Sequence, residues 1–526
     1  MAMPSIEEDE MEDKVPLMSG HPTPVRSDIK EAAFENHPDP WGKGYKELYC
    51  ICLLLYLNST MAGFDGSLLG NINALPEFHK FFGLDKPGME TGLMFSSVQM
   101  GGMVGALFLW LADWKGRIFC IKTGSIGVIL SVFLQANATD VHSFIIGRFA
   151  LGFFSTIACK GSTMFLIEVA PPKYRGTIAG MYNTLYYFGS LLATTSVVIS
   201  QRDHPDTNLA WQLPIWYQMI CPILVTIGIM FVPESPRWLM ANNRIEEARE
   251  IIIRFHANGD PTHPIVDLEV SEMVEDLKTS GGLMTAASYF DISTLFKTKG
   301  RRYRVFVLVC MSWFGQFSGN NIMSYYLPQM VTDVGITSTH TKLILNGIYA
   351  IVGWIAAASG ARLHDVFGRR KMLFGCTCGL VVCLTVITAA AGAYAHTESK
   401  IMSGTLVVWI YIFGIVFALG YTSMQPIYPA EVMTNDMRAK GMALSSFTSG
   451  TAGFVNTAIA PIAMATYGYW FYGFFVVWDV LEATIIYKYF VETKGRTLEE
   501  LDEVFESPNP ALASITRRKT RARDAA

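Results

Sequence analysis

Residues 371–393 read KMLFGCTCGLVVCLTVITAAAGA, with no charged residue after Lys371. A helix rises about 1.5 Å per residue, so about 20 apolar residues cross the hydrocarbon core of a bilayer. In the whole chain 51% of the residues are hydrophobic and 16% are charged, which is typical of a protein dissolved largely in lipid. The sequence therefore predicts an all-α membrane protein with twelve transmembrane helices. About twelve runs are similar in length and composition, at 47–70, 92–112, 118–138, 142–168, 178–200, 211–232, 303–332, 342–363, 371–393, 403–430, 441–465 and 469–491.

Lysine and arginine predict the orientation, because basic residues near helix ends stay on the cytoplasmic side. The 233–302 segment holds nine of them, and the loops on the same predicted side are also basic. Both termini fall on this side, which requires an even number of spans. The first 40 residues are polar and acidic and show no cleavable signal. We expect a multi-pass protein, in the plasma membrane, with both termini in the cytoplasm.

Three motifs occur once in each half of the chain, which indicates an internal repeat. Asp113-x-x-Gly-Arg117 recurs as Asp365-x-x-Gly-Arg369, Glu168 with Arg175 as Glu431 with Arg438, and 233–237 (PESPR) as 491–496 (VETKGR). The repeat predicts five segments. These are a cytoplasmic tail at 1–44, a six-helix bundle at 45–232, a cytoplasmic linker with short helices at 233–302, a second six-helix bundle at 303–491 and a cytoplasmic tail at 492–526.

The repeated motifs gather acids and bases at the cytoplasmic ends of the spans, where carboxylates and arginines can pair. We interpret them as a charge latch that stabilises one conformation. The alternative is that they only set topology and cap helices. The latch candidates are Asp113, Arg117, Glu168, Arg175, Glu234, Arg237, Asp365, Arg369, Glu431, Arg438 and Glu492.

Several motifs resemble those of the sugar porters of the major facilitator superfamily, and within them the fungal lactose and cellodextrin permease-like branch. The resemblance implies two bundles of six helices, a sugar site between them and alternating access. At 114–118 the sequence WKGRI departs from the family, which usually has two basic residues after the glycine. The matching motifs are GRF at 147–149, EVAPPKYRG at 168–176, PESPRWL at 233–239, GQFSGNNIMSYYLP at 315–328, PAEVMTNDMRAKG at 429–441 and VETKGRTLEELDEVF at 491–505.

A sugar site needs amides and hydroxyls that donate and accept, with aromatic faces beside them. The seventh span offers such groups next to Gly315 and Gly319, which permit a broken helix. The resemblance implies sugar contacts for Gln316 and Asn321, and for Asn183 at the position of a family glutamine. The alternative is that these amides only bond neighbouring helices. The substrate-binding candidates are Asn183, Gln316, Asn320, Asn321, Tyr325 and Gln425.

Asp65 is an acid inside the first predicted span, where burial costs about 2.5–3.5 kcal/mol unless the charge is paired or hydrated. Arg148 is a buried base in the fourth. The resemblance implies that such an aspartate and arginine form the proton-coupling pair of proton symporters, and that facilitators lack the acid. The alternative places Asp65 near the outer end of the helix, in contact with water.

Small residues stand where sugar porters for single hexoses or pentoses usually have bulky ones. They are Pro426 in the tenth span, Gly450 in the eleventh, Gly315 in the seventh and the shortened amide Asn183 in the fifth. We expect a larger ligand, a disaccharide of the lactose or cellobiose kind. Tyr421, Tyr428, Phe447 or Trp354 could instead fill the vacated space.

The leading hypothesis is therefore proton-coupled symport of a sugar. The alternatives are a facilitative hexose or pentose transporter and a transporter-like sugar sensor, although the short segment from 492 to 526 disfavours sensing. No nucleophile–base set, phosphate loop or metal spacing predicts an enzyme, a cofactor or a metal site. Expected partners are the sugar, the proton and the lipid bilayer, with no nucleic acid. A monomer suffices, and the oligomeric state stays open.

Overall fold

The computed structural model of the protein describes residues 38–84, 89–171, 175–280, 291–325, 327–333, 335, 338–397, 399–494 and 498–515. This described part is built of helices. Eight helical segments are long and apolar enough to cross a membrane, and they form the first, third, fourth, sixth, eighth, ninth, tenth and twelfth spans below. All nine cysteines lie in the described residues and are free thiols there.

Six spans form the N-terminal half. The second span continues into a short helix, Leu111–Lys115, and the sixth contains Pro214 and is divided near Gln218. The spans are Lys43–Ile72, Met89–Ala106, Arg117–Ala136, Val141–Val169, Arg175–Asp203 and Leu209–Phe231.

The C-terminal half repeats this pattern. Its first member, the seventh span, is broken into Lys299–Phe317, Asn320–Tyr325 and Leu327–Asp333. The following five spans are Thr339–Phe367, Arg369–Thr397, Lys400–Val432, Asn435–Tyr467 and Trp470–Tyr489. Each of the twelve predicted runs falls on one of these spans, so the predicted number and order of the spans are confirmed.

Contacts within each half are closer than contacts between halves, except along two seams. In the N-terminal half the first span packs on the fifth, and the third and second pack on the fourth. The halves meet where the second span packs on the eleventh and the fifth on the eighth. The eighth span also reaches the first, because Asn346 donates a hydrogen bond to Asn71.

Three helices follow the sixth span and cover one end of the N-terminal half: Pro236–Ala241, Ile245–His256 and Pro264–Ser280. His256 links these helices to the fourth span, because its ring nitrogens lie 2.6 Å from Glu269 Oε2 and 2.8 Å from the Val169 carbonyl oxygen.

Candidate functional site

Asp65 of the first span and Arg148 of the fourth form a buried ion pair. Arg148 Nη1 lies 2.6 Å from Asp65 Oδ1, and the two side chains are only 5% and 12% exposed. The Gln218 side-chain amide donates a hydrogen bond of 3.2 Å to the same oxygen. The structure thus brings together the two residues predicted to couple transport to protons, and it encloses Asp65. Sequence reasoning missed Gln218, whose signal is an amide in the middle of an apolar run.

The glycines on either side of Asp65 hold the first span against the fifth. A Cβ on Gly66 would lie 2.1 Å from the Tyr186 hydroxyl oxygen, and one on Gly63 would lie 1.8 Å from the Tyr186 carbonyl oxygen. Only hydrogen fits at either position. Tyr186 lies about one helical turn after Asn183, so the buried acid and a predicted sugar ligand share one rigid contact surface.

Amides of the C-terminal half converge around the end of the seventh span's first helix. Asn321 Nδ2 lies 3.4 Å from Gln316 Oε1, and Asn456 donates a 2.8 Å hydrogen bond to the Gln316 carbonyl oxygen. Gln425 donates a 2.9 Å hydrogen bond to the carbonyl oxygen of Gly315. The structure therefore brings Gln316, Asn321 and Gln425 together, and it adds Asn456, which sequence reasoning missed.

The predicted break in the seventh span is confirmed. The first helix ends at Phe317, and Gly319 has a φ of +85°, which glycine adopts readily and other residues avoid. Asn320 begins the next helix and is half-buried. The Tyr325 side chain lies outside the described part of the chain. Ser318 and Asn321 beside the break are buried. A broken helix within a span is tolerated where the backbone is buried in protein or lines a cavity.

Asn183 contacts the opposite half directly. Its side-chain amide donates a short hydrogen bond to the Thr422 carbonyl oxygen, and the Tyr187 hydroxyl lies 3.5 Å from the Thr422 hydroxyl. Thr422 ends a π-helical segment, Ala418–Thr422, in the tenth span. A π-helical turn leaves backbone groups with altered partners and is frequent at functional sites. The predicted ligand in the fifth span is thus also a contact between the halves.

An ion-pair cluster forms around Arg117 in the N-terminal half. Arg117 lies 3.1 Å from Asp113 and 2.8 Å from Glu168. The Glu234 carboxylate accepts the backbone N–H of Arg117 at 3.1 Å, and the Ser235 hydroxyl donates to Glu168. Burial raises the pKa of the Glu234 carboxyl, and the backbone N–H groups that it accepts oppose this rise.

The C-terminal half has an equivalent cluster with the same chemistry at matching positions. Arg369 lies 2.8 Å from Asp365 and 3.1 Å from Glu431. Glu492 accepts the backbone N–H of Arg369 at 2.9 Å, and the Thr493 hydroxyl donates to Glu431 at 2.6 Å. The two clusters confirm the internal repeat, since each residue of one has its counterpart in the other.

The ion pairs of each cluster join helices of the same half. The side chains of Arg175 and Arg438 lie outside the described part of the chain, and Arg237 is half-buried. The role of these clusters as a latch between conformations stays a prediction. Within the described residues, no group of three or more His, Cys, Asp or Glu side chains is placed to hold a metal ion.

Two of the small residues that predict a large ligand have neighbours in the space beside them. A Cβ on Gly450 would lie 2.5 Å from Met103 Cγ, and one on Gly315 would lie 2.7 Å from Gln425 Nε2. Gly450 therefore packs on the second span, and the Gln425 side chain occupies the volume next to Gly315.

Comparison with known proteins agrees with this geometry. The family described as "Sugar (and other) transporter" matches residues 51–505 of the chain. A quinate permease of Neurospora terricola is 26% identical over 490 residues, which cover 90% of this chain and 91% of that protein. A high-affinity glucose transporter of Kluyveromyces lactis is 26% identical over 486 residues, covering 88% of this chain and 86% of that protein.

Among solved structures, the proton:xylose symporter XylE of E. coli matches with a TM-score of 0.71 at 21% sequence identity. The match covers 87% of this chain and 99% of that one. At this identity the likeness establishes the fold. The predicted major facilitator fold, with twelve transmembrane helices in two six-helix bundles, is confirmed.

Proposed function

The chain belongs to the sugar transporter family, and from this premise we propose that it carries a neutral sugar across the plasma membrane together with a proton. The observation that supports coupling is the buried pair of Asp65 and Arg148, 2.6 Å apart. A carboxylate and a guanidinium inside the membrane are costly to bury, and charges at such depth usually mark ion pathways. We assign Asp65 as the proton acceptor and Arg148 as the base that controls its affinity.

Proton binding to Asp65 removes the negative charge that holds the Arg148 guanidinium. A conformation that separates the pair favours the protonated acid, and one that joins it favours the carboxylate. Each pKa unit of difference between the two conformations is worth about 1.4 kcal/mol of coupling. The proton and the conformational change therefore shift each other's equilibria, as any linked pair must.

The contact of the first span with Tyr186 supplies a route from the acid to the sugar. Because Gly63 and Gly66 leave no space, displacement of the first span next to Asp65 must displace the fifth. The fifth span carries Asn183, whose amide bonds the tenth span at Thr422. Proton binding can thus change how the two halves close around a ligand.

The convergent amides favour a neutral, hydroxyl-rich ligand. Asn183, Gln316, Asn321, Gln425 and Asn456 each donate and accept, as sugar hydroxyls do. Their present partners are backbone carbonyls and one another. When a sugar binds between the halves, these amides would form hydrogen bonds with its hydroxyls in place of their present partners. The same amides would therefore link helices in the empty protein and bind the sugar in the loaded one.

For substrate size we propose a disaccharide of the lactose or cellobiose kind, as in the fungal branch that the motifs resemble. The short side chain of Asn183 and the proline at 426 support this proposal. Gly315 and Gly450 support it less, because Gln425 and Met103 lie beside them. A hexose or pentose carrier fits the same amides, and the uptake experiment below decides between the two.

The topology and the oligomeric state complete the proposal. We place both termini and the linker at 233–302 in the cytoplasm, with bundles at 45–232 and 303–491 that act as a monomer. We assign the two ion-pair clusters to stabilising the cytoplasmic ends of the spans. A sugar sensor would have the same fold and would carry little flux.

The test is uptake of a panel of labelled mono- and disaccharides by cells that lack their own sugar carriers. We expect accumulation against a gradient, abolished by a protonophore and by Asp65→Asn. Asp203→Asn is the matched control, because Asp203 is an exposed acid that pairs with its neighbour Arg202. Equilibration without accumulation, insensitive to the protonophore, would identify a facilitator. Expression at the cell surface without flux of any sugar would identify a sensor.

A further inference from the structure

The twelfth span carries two acids that the proposed symport mechanism does not use. Asp479 and Glu482 are both completely buried, with 0% exposure. They are three residues apart, so they lie on the same face of the helix. Both carboxyl oxygens of Asp479 lack a hydrogen-bond partner among the described residues. Across the same part of the chain, no lysine, arginine or histidine forms an ion pair with either acid.

Two ionised carboxylates in this position would be unstable. A buried charge without a counter-ion costs far more than its neutral form, and such a group binds a proton instead. Two like charges on one helix face add repulsion that protonation removes. We propose that Asp479 and Glu482 form a second proton-binding site, in the C-terminal half, in which both carboxyls are protonated at neutral pH. This inference does not depend on the proposed symport.

The groups around the pair are neutral donors and acceptors. The Trp478 indole N–H donates a hydrogen bond to Glu482 Oε1, and the Tyr421 hydroxyl lies 3.5 Å from Glu482 Oε2. Thr377 of the ninth span lies 2.7 Å from that hydroxyl. Among the described residues, the titratable groups of other spans that interact electrostatically with the pair are the Tyr421 hydroxyl and the Cys310 thiol, and the Cys376 thiol interacts with Tyr421. Since none of these groups carries a positive charge, bound protons are what can neutralise the site.

The hydroxyls of Tyr421 and Thr377 can complete the hydrogen bonds around Glu482 whether its carboxyl is ionised or protonated. Thr377 Oγ1 lies 2.7 Å from the Leu373 carbonyl oxygen as well as from Tyr421. When Glu482 is ionised, Thr377 donates to Tyr421 and Tyr421 donates to Glu482. When Glu482 is protonated, it donates to Tyr421 and Tyr421 donates to Thr377. Thr377 then donates to the Leu373 carbonyl. Gain or loss of the proton therefore requires only rotation of two hydroxyls.

The site is connected to the contact between the two halves. Tyr421 belongs to the π-helical segment Ala418–Thr422, and its neighbour Thr422 accepts the hydrogen bond from Asn183 of the opposite half. Movement of this segment during transport would change the distance from Tyr421 to Glu482. The protons on the pair are thus placed to respond to movement of the tenth span.

Infrared spectroscopy of the purified full-length protein in detergent tests the proposal. A protonated carboxyl absorbs apart from a carboxylate and shifts when water is exchanged for deuterium oxide. We expect the wild type at neutral pH to show such a band and the double variant Asp479→Asn/Glu482→Gln to lose it. Asp65→Asn should retain the band, because Asp65 pairs with Arg148 in the other half and is not part of this site. Absence of the band in the wild type, or its persistence in the double variant, overturns the proposal.

Melting temperature supplies a second measurement that does not require a spectrum. Asp479→Asn replaces a neutral acid with a neutral amide of nearly the same shape, so we expect an unchanged or higher melting temperature. A marked decrease, of the size expected when a buried ion pair loses one partner, would mean that Asp479 is an ionised and paired group. That result would overturn the proposal.

Discussion

In the N-terminal half the buried carboxylate of Asp65 has an arginine 2.6 Å away, whereas in the C-terminal half the buried acids Asp479 and Glu482 have aromatic rings and hydroxyls around them. The first arrangement balances charge within the protein. The second must balance it with bound protons. An acid paired with a base is ionised in the conformation that joins them, so it releases and binds its proton as the conformation changes. An acid without a base keeps its proton until its surroundings change.

The ion-pair clusters of the two halves differ in degree rather than in kind. The two clusters have the same pairs at similar distances, but Asp113 and Glu168 are 12% and 14% exposed while Asp365 and Glu431 are 70% and 28% exposed. Solvent weakens an exposed ion pair, and burial makes a broken pair expensive. The repeated motifs thus form the same contacts in both halves, but the ion pairs differ in strength.

The largest effect is expected where a buried pair loses one partner. Arg148→Ala leaves the Asp65 carboxylate buried without its counter-ion, which should lower the free energy of unfolding by about 3–5 kcal/mol. Accumulation of sugar should fall to background. The measurements are melting temperature in detergent and uptake corrected for surface expression.

The double variant Asp65→Asn/Arg148→Ala is the matched control, since it removes both charges. We expect it to recover most of the lost stability and none of the accumulation. If Arg148→Ala melted like the wild type, the contrast between the paired acid of one half and the unpaired acids of the other would be wrong.

Loss of the central arginine should lower the free energy of unfolding by different amounts in the two ion-pair clusters. Arg117→Gln removes the guanidinium from two nearly buried carboxylates and should cost about 3–5 kcal/mol. Arg369→Gln leaves carboxylates that water reaches and should cost about 1.5–3 kcal/mol, the usual value of hydrogen bonds to charged groups. Melting temperatures of the two variants give the comparison.

The same variants test the latch. Loss of either cluster should increase labelling of a cysteine placed between the cytoplasmic ends of the halves, and more so for Arg117→Gln. Equal melting temperatures and unchanged labelling would reduce both clusters to topogenic charges.

The sequence predicted the fold well because the signals for it are local. Apolar runs such as 371–393 have the length of a span whatever they pack against, and the repeated Asp-x-x-Gly-Arg motif announces two halves. The pairing of Asp65 with Arg148 was also predictable, since charges within spans are few and must be balanced. The break at Gly319 was predictable because glycines stand next to amides in the seventh span.

What the sequence missed depends on contacts between distant spans. Asn456 and Gln218 are single amides in apolar runs, and only the packing shows that they reach Gln316 and Asp65. Asp479 and Glu482 carried the same signal as Asp65, an acid within a span, and could have been singled out by it. Gly450 is a converse case, because only the packing shows that the Met103 side chain lies beside it.

The smallest effect that still distinguishes the halves concerns the acids of the Asp-x-x-Gly-Arg motifs. Asp365 is 70% exposed, so its pair with Arg369 is screened and should be worth about 0–1 kcal/mol. Asp113 is 12% exposed at 3.1 Å from Arg117, so Asp113→Asn should cost about 1.5–3 kcal/mol. Salt should weaken the effect of Asp365→Asn, because ions of the solution reach an exposed ion pair, and should leave most of the effect of Asp113→Asn, whose pair is largely buried. Melting temperatures of the two variants at low and high salt measure this. If both variants responded to salt alike, the exposure of the two acids would not determine their energies, and the two clusters would be equivalent in strength as well as in geometry.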